Sequence, residues 1–214
     1  MCGIVAYNGS ESCKKKLLEG LEQLEYRGYD SAGIALLNEN SIDVIKKSGN
    51  IDGLIEKANN DPSEANIGIG HTRWATHGKP TEENAHPHVN NKKDIAIVHN
   101  GIIENYQILK ENLIKDGYSF YSETDSEVIA NLIDKYYEKD LSTSVKKVVD
   151  LLEGSFSLAV ISSRDPETLV LVRKESPLIL GIIDNGVFAA SDITAILNYT
   201  RDVIYLDDEE IVTI

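Results

Sequence analysis

Short apolar segments fall into two groups along the chain, and most of the helical periodicity lies between them. Apolar, β-branched runs bounded by turn residues predict strands at 2–7, 32–37, 43–48, 67–74, 94–100, 155–162, 168–173, 178–183, 187–191 and 202–206. A period of 3.6 residues predicts helices at 14–25, 102–117, 125–139 and 144–154. Because strands and helices do not alternate strictly, the order predicts an α+β fold of mostly antiparallel sheets with helices on their outer faces.

Two local patterns refine this prediction. Thr124 and Glu127 have the spacing of a capping box at a helix start. Asp184–Asn185–Gly186 has the chemistry of a tight hairpin between two strands. The strands at 32–37 and 155–162 are apolar on both faces, which is typical of a sheet that packs against a second sheet.

Composition limits the classes of partner that the protein can bind and the cellular compartment in which it is expected. The 214 residues carry a net charge of −14, which argues against nucleic acid as a partner. No apolar run approaches the ~18 residues that span a bilayer, so no membrane association is expected. With no signal peptide and only two cysteines, we expect a cytoplasmic protein without a Cys2–Cys13 disulfide. No internal repeat or linker divides the chain, so we expect one domain.

Cys2 follows the initiator methionine directly. Removal of that methionine would leave a thiol beside a free α-amine. The amine titrates near ~7.7–8.0 and the thiol near ~8.5, so a proton can pass between them at a cost of about 1 kcal/mol. The amine can therefore serve as the general base for its own side chain. The alternative is that Cys2 is a small buried residue at the start of a strand.

Four further residues have side chains or backbone groups suited to catalysis or substrate binding. Each could instead have a purely structural role. Arg73 could grip a carboxylate with two parallel hydrogen bonds, or it could pair with an acidic neighbour. Asn100 and Gly101 could form an oxyanion hole from a side-chain amide and a backbone N–H, or a hairpin turn. Asp125 could bind an α-ammonium group, or it could cap a helix.

The histidines suggest two other sites. His86 and His88 invite a metal, but no third or fourth ligand has a helpful spacing, so no metal is expected. A cysteine–histidine dyad using His77 or His99 stays open, although it leaves the position of Cys2 at the chain start unexplained. No organic cofactor is expected either.

A series of ordered motifs supports a family resemblance. The chain contains MCGIV, LEYRGYDSAG, GHTRWATHG, NAHPHV, VHNGIIENY, YSETDSEVIA, SPLILG and AASD. Over essentially its whole length it resembles the glutaminase domains of isomerising glucosamine-6-phosphate synthases. These are class II glutamine amidotransferases of the N-terminal-nucleophile hydrolase superfamily. CGI is shared by other class II amidotransferases, whereas the order of RGYDSAG, HTRWATHG and AHPH is typical of the glucosamine branch. The resemblance implies a four-layer αββα sandwich.

The resemblance also implies roles for residues at matching motif positions. Cys2 would be the nucleophile, with its freed α-amine as base, and Asn100 and Gly101 would form the oxyanion hole. The residues implied to hold glutamine are Arg73, Thr76 and His77 at its α-carboxylate and Asp125 at its α-ammonium.

Three further residues receive auxiliary roles from the same resemblance. Trp74 would gate the passage of ammonia, and Arg27 would lie close to the amino terminus. His86 would contact the sugar-handling part of the enzyme rather than glutamine.

The implied reaction is hydrolysis of the side-chain amide of L-glutamine to glutamate and ammonia through a cysteine thioester. In a full-length, homodimeric enzyme the ammonia would convert fructose 6-phosphate to glucosamine 6-phosphate. Residues 1–214 would then be the glutaminase domain alone, without the sugar-isomerase domains. Two alternatives stay open: a catalytically silent regulatory or binding module, and an amidotransferase domain with another acceptor such as phosphoribosyl pyrophosphate.

Overall fold

Two antiparallel sheets lie face to face, and each carries helices on its outer side. The computed structural model describes residues 2–28, 30–75 and 78–214. The four layers confirm the predicted α+β sandwich. Within the described ranges, no helix is both long and apolar enough to cross a membrane.

The larger sheet has seven strands in the order β11-β9-β10-β1-β4-β2-β3, and the smaller has five in the order β12-β8-β7-β6-β5. The strands are β1 (Gly3–Gly9), β2 (Ser31–Leu37), β3 (Ile42–Ser48), β4 (Ile67–Arg73), β5 (His88–Val89), β6 (Ile95–Ile103), β7 (Gly154–Ser162), β8 (Asp165–Lys174), β9 (Ile179–Ile183), β10 (Gly186–Ala190), β11 (Val203–Tyr205) and β12 (Ile211–Thr213).

The helices divide between the two outer faces. They are α1 (Lys14–Gln23), α2 (Ile51–Asn59), α3 (Tyr106–Lys115), α4 (Glu127–Lys135) and α5 (Leu141–Val149). The first two pack on the seven-stranded sheet, and the other three pack on the five-stranded sheet. Single 3-10 turns at Glu25–Arg27 and Ile193–Ala195 complete the helical structure of the described residues.

Strand β1 lies in the middle of the larger sheet, between β10 and β4. Successive side chains of a strand point to opposite faces, so Ile4 and Ala6 enter the layer between the sheets while Val5 and Tyr7 face α1. All four side chains are buried. Cys2, which directly precedes this buried strand, therefore lies at the edge of the core.

Several element predictions need correction. The helix predicted at 102–117 begins only at Tyr106, because Ile102 and Ile103 continue β6 and pair with β7. Helix α2 and strands β5 and β12 were not predicted. The hairpin prediction is confirmed: Asp184 and Asn185 form the loop between paired residues Ile183 and Gly186.

The predicted capping box is wrong. Thr124 does not cap α4; its hydroxyl bonds with His88 Nε2 at 3.1 Å. The Glu127 carboxylate accepts the backbone N–H groups of Tyr121 and Ser122 at 3.0 and 2.7 Å. Glu127 therefore folds the loop before α4 rather than closing the helix end, and this loop carries Asp125.

Candidate active site

One pocket opens where β1 begins, where β4 and β6 end, and where the loop enters α4. Antiparallel pairing of β1 with β4 sets Gly3 opposite Thr72, so the start of β1 and the end of β4 lie at one edge of the sheet. The pocket is lined by Cys2, Arg73, Trp74, His86, His99, Gly101, Thr124, Asp125 and Ser126.

The Cys2 thiol lies against the backbone of the loop that follows β4. The Trp74 N–H donates to Cys2 Sγ at 3.3 Å, and the thiol faces Trp74 O at 3.7 Å. Burial raises the pKa of the thiol, and the bond from the Trp74 amide partly opposes this effect. The sulfur is held in place, but the surroundings do not favour a thiolate on their own.

The RGYD segment holds that loop in place. The Asp30 N–H donates to Arg73 O at 3.0 Å, and Asp30 Oδ2 accepts the Ala75 N–H at 2.7 Å. A Cβ at Gly28 would lie 2.8 Å from the Arg73 carbonyl carbon and 2.9 Å from Trp74 N, so glycine is required for this approach. Sequence reasoning gave Asp30 no role, although its place in the RGYDSAG motif was a signal.

Asn100 and Gly101 belong to a strand, so the hairpin alternative is wrong. Both residues pair with β7, where Asn100 is opposite Ser157 and Gly101 opposite Phe156. Asn100 Nδ2 donates to Cys2 O at 3.2 Å. Gly101 has φ +124, and a Cβ there would lie 2.0 Å from Ser155 O. This position accepts only glycine, and the Asn100 amide and the Gly101 backbone both lie near Cys2.

Arg73 and Asp125 place opposite charges in the same pocket. Arg73 is 4% exposed, and its Nη1 donates to Lys79 O at 3.2 Å. Burial lowers the pKa of the guanidinium, while the thiol of Cys2 and the carboxylates of Asp30 and Asp125 act in the opposite direction. An arginine and an aspartate that share one pocket suit a zwitterionic ligand.

Asp125 precedes α4, whose N-cap is Ser126. Its Oδ2 accepts the Ile103 N–H at 2.8 Å, so the carboxylate is tied to the end of β6 and not to the helix. The helix-cap alternative is therefore wrong for this residue.

Four buried histidines, the histidine cluster, lie beneath the pocket: His71, His86, His88 and His99. The rings of His71 and His86 stack at 4.1 Å, and His88 meets His86 edge-on at 4.5 Å. Burial lowers the pKa of all four, that of His71 to about 3, so the cluster is neutral near pH 7. Among the described residues, no three histidine, cysteine or acidic side chains are grouped to hold a metal ion.

The His99 ring bonds with Ser126 and not with the thiol of Cys2. Its Nδ1 bonds with Ser126 Oγ at 2.7 Å, while its backbone N–H donates to His86 Nδ1 at 3.2 Å. The thiol makes its bonds with the Trp74 backbone instead. The other histidine considered for a dyad, His77, lies outside the described residues.

The structure describes only part of the HTRWATHG motif. The Trp74 side chain is 43% exposed at the pocket mouth. Thr76 and His77 both lie outside the described residues. Their expected contacts with a carboxylate stay predictions.

Arg27 lies near the start of β1. Its Nη1 donates to Ser191 O at 3.1 Å and to Asp192 Oδ2 at 3.0 Å. Ser191 in turn bonds to Ile4, whose N–H donates to Ser191 Oγ at 2.9 Å. Arg27 therefore stabilises the segment that pairs with the first residues of β1.

His86 is 4% exposed, and its ring belongs to the pocket floor. Its contacts in this structure are with the histidine cluster, within the domain. The expected contact with a sugar-handling domain stays a prediction.

Comparison with known proteins gives the family of this site. A family model described as a glutamine amidotransferase domain matches residues 71–198. The chain therefore belongs to the glutamine amidotransferase domain family, and it is an enzyme domain. The fold agrees with this assignment: a glutamine phosphoribosylpyrophosphate amidotransferase from B. subtilis superimposes with a TM-score of 0.83 at 25% identity, over 99% of this chain and 47% of the other.

More similar sequences share one name. The isomerizing glutamine–fructose-6-phosphate aminotransferase of Clostridium acetobutylicum is 53% identical over 214 residues, which are 100% of this chain and 35% of that protein. The enzyme of the same name from Aquifex aeolicus is 54% identical over 211 residues, 99% of this chain and 36% of that protein. The chain thus spans about a third of the length of these relatives.

Proposed function

We propose that this domain hydrolyses the side-chain amide of L-glutamine to glutamate and ammonia, with Cys2 as the nucleophile. One observation supports this proposal above others. Cys2 and Gly101 line one pocket together with Arg73 and Asp125, and the Asn100 amide beside it donates to Cys2 O at 3.2 Å. A nucleophile, two oxyanion donors and a zwitterion site are what the hydrolysis of an amino-acid amide requires.

Arg73 binds the α-carboxylate of glutamine, and Asp125 binds its α-ammonium. Arg73 and Asp125 are both buried, so each of these ion pairs is stronger than it would be at the surface. Thr76 and His77, which follow Arg73 in the sequence, complete the grip on the carboxylate. Because both charged ends are fixed, the length of the substrate side chain decides whether its amide reaches the sulfur.

The thiol needs a base because burial raises the pKa of Cys2. The α-amine freed by removal of Met1 belongs to the same residue, and the transfer costs about 1 kcal/mol at reference pKa values. The Trp74 N–H, 3.3 Å from the sulfur, stabilises the thiolate once it has formed. Arg73 adds a positive charge nearby, which also lowers the pKa of the thiol.

The thiolate attacks the γ-carboxamide carbon, and the carbonyl oxygen becomes an oxyanion held by Asn100 Nδ2 and the Gly101 N–H. The intermediate collapses as the carbon–nitrogen bond breaks, and the α-ammonium of Cys2 gives its proton to the departing ammonia. Water then attacks the γ-glutamyl thioester with the amine again as base, which releases glutamate and restores the thiol.

In the whole protein, the ammonia converts fructose 6-phosphate to glucosamine 6-phosphate on sugar-isomerase domains outside residues 1–214. The name shared by the relatives at 53% and 54% identity supports this acceptor over phosphoribosyl pyrophosphate, whose amidotransferase is 25% identical. In that setting Trp74 gates the ammonia and His86 contacts the sugar-handling part. The full-length enzyme acts as a homodimer in the cytoplasm.

The test is an ammonia-release assay with glutamine, asparagine and glutamate on the purified domain, with intact mass used to verify the loss of Met1. We expect turnover of glutamine alone, because asparagine is one methylene too short to span from the charged groups to the sulfur. A silent regulatory module would release no ammonia. Equal hydrolysis of asparagine would contradict the assigned pocket, and full activity with Met1 retained would contradict the amine as base.

A further inference from the structure

The oxyanion role of Asn100 requires its amide nitrogen, not its oxygen, to face the reacting carbonyl. The structure contains a group that distinguishes the two atoms. His71 Nε2 lies 3.0 Å from Asn100 Oδ1 and 3.0 Å from the backbone oxygen of His99. A backbone carbonyl only accepts, so Nε2 must carry the proton that both bonds share. The Asn100 atom that faces it must therefore be the acceptor, which is the oxygen.

We propose that His71 is a positioning residue for glutamine hydrolysis: its Nε2–H fixes the orientation of the Asn100 amide so that Nδ2 points to the oxyanion. The proposal rests on the function proposed above. A flipped amide would place NH₂ against the His71 N–H and oxygen against Cys2 O. Both ends would then be repulsive, and the oxyanion would meet an acceptor.

The surroundings of His71 keep its ring in this position. Its side chain is 0% exposed in the layer between the sheets, and it stacks on the His86 ring with an interplanar angle of 18°. His86 is held in turn, because its Nδ1 accepts the His99 N–H at 3.2 Å. Asn100 and His71 come from different sheets, so this bond joins the two sheets next to Cys2, to whose backbone oxygen the Asn100 amide donates.

The expected loss of kcat on substitution of His71 depends on the hydrogen bonds that still orient the Asn100 amide. Removal of one oxyanion donor costs about 10²–10³ in rate. The bond from Asn100 Nδ2 to Cys2 O, at 3.2 Å, still favours the productive orientation when His71 is changed. We therefore expect a loss of about 10- to 100-fold in kcat, below that of deleting the Asn100 amide itself.

The experiment compares His71→Phe, which keeps a planar ring without a donor, with His71→Gln, which restores an N–H at similar reach. His88→Phe is the matched control, since it removes another buried ring of the histidine cluster that makes no bond to Asn100. Three quantities are measured: kcat and KM for glutamine, the inhibition constant of L-glutamate γ-semialdehyde, and that of glutamate. The aldehyde adds the Cys2 thiol to form a thiohemiacetal with an oxyanion-like oxygen, whereas glutamate forms no tetrahedral adduct.

We expect His71→Phe to lower kcat and the aldehyde affinity together by about 10- to 100-fold, with KM and glutamate affinity within about threefold. His71→Gln should recover most of both losses. His88→Phe should lower thermal stability without changing the ratio of aldehyde to glutamate affinity. If His71→Phe does not fold, His71→Asn replaces it, because its amide is too short to reach Asn100 Oδ1.

Two results would overturn the inference. One is unchanged kcat and aldehyde affinity in His71→Phe; the other is an equal loss of glutamate and aldehyde affinity, which would indicate general damage to the pocket. Failure of the wild-type domain to hydrolyse glutamine would refute the proposed function and this inference with it. An active wild type with an unaffected His71→Phe variant would refute the inference alone.

Discussion

The two sheets contribute to the pocket in different ways. The seven-stranded sheet supplies Cys2 and Arg73 at strand ends, and the loop beyond β4 is held by backbone bonds to Asp30. The five-stranded sheet supplies Asn100 and Gly101 from within a paired strand, and its buried bonds continue to Asp125. The first side holds the proposed nucleophile against a clamped loop, while the second presents the proposed oxyanion donors from a paired strand. Changes on the first side should therefore affect the sulfur and substrate binding, and changes on the second should affect the oxyanion.

The largest effect is expected for Cys2, in the part of the pocket that the seven-stranded sheet supplies. Cys2→Ala should abolish ammonia release from glutamine, because no other nucleophile is assigned, and the melting temperature should stay within a few degrees. Cys13→Ala is the control, since burial raises the pKa of that thiol to about 12 and makes it inert. Loss of activity in Cys13→Ala, or retention in Cys2→Ala, would contradict the assignment.

A second prediction tests the part of the pocket that the five-stranded sheet supplies. Gly101→Ala should lower kcat by about 10²-fold or more, because its Cβ would displace Ser155 O and with it the oxyanion N–H. It should also cost several kcal/mol of unfolding free energy. Gly117→Ala is the matched control: Gly117 also has positive φ, at +93, but nothing lies within 4 Å of its added Cβ. That variant should lose only about 1–2 kcal/mol of stability and no activity. Equal losses of kcat in the two variants would contradict the explanation that the added Cβ at Gly101 collides with Ser155 O.

A third prediction concerns the clamp on the loop. Asp30→Ala removes the acceptor of the Ala75 N–H and should lower kcat/KM for glutamine by about 10-fold, as expected for a hydrogen bond to a charged group. Asp30→Asn keeps an oxygen acceptor and should lose less. Steady-state kinetics will separate them, and a smaller loss in the alanine variant than in the asparagine variant would be evidence against a clamp.

The smallest effect is a pH dependence of stability. The histidine cluster has pKa values lowered by burial, that of His71 to about 3, against about 6.5 in an unfolded chain. Below about pH 6.5 the unfolded state binds protons that the native cluster does not, so stability falls on acidification. A histidine that stays neutral in the native state over this range should lower the free energy of unfolding by about 1.4 kcal/mol between pH 7.5 and 5.5.

Urea unfolding of wild type and His88→Phe at both pH values provides the measurement. The variant should lose about 1.4 kcal/mol less than the wild type over this interval, since one buried imidazole is missing. An identical pH dependence of the two proteins would show that His88 is protonated in the native state or titrates equally in both states.

The sequence was most informative where a motif combines unusual residue types, and least informative where a role depends on contacts across the sheets. Hydrophobic periodicity located ten strands and four helices, because long apolar runs are strong signals. It missed α2, which contains Gly53 in only 9 residues, and it assigned Ile102 and Ile103 to a helix although they extend β6. Short elements and element boundaries depend on tertiary pairing that the local pattern does not encode.

For the candidate active site too, local motifs were informative and contacts across the sheets were not. Cys2, Arg73, Asn100, Gly101 and Asp125 were candidates by residue type and motif, and the structure brings all five to one pocket or its wall. His71 was not a candidate, although it lies in the same motif as Arg73. Its contact with Asn100 joins residues 29 positions apart on different sheets, so no local pattern could indicate it.

If the bond between His71 and Asn100 orients the oxyanion donor, the catalytic rate depends on the distance between the two sheets that the bond joins. Small side chains such as Ala96 and Ala159 fill the layer that separates them, and they set the gap that this bond must span. A bulkier residue there would wedge the sheets apart, and turnover would slow while the fold still held. Catalytic rate would thus report strain in the interior of the domain before any spectroscopic sign of unfolding.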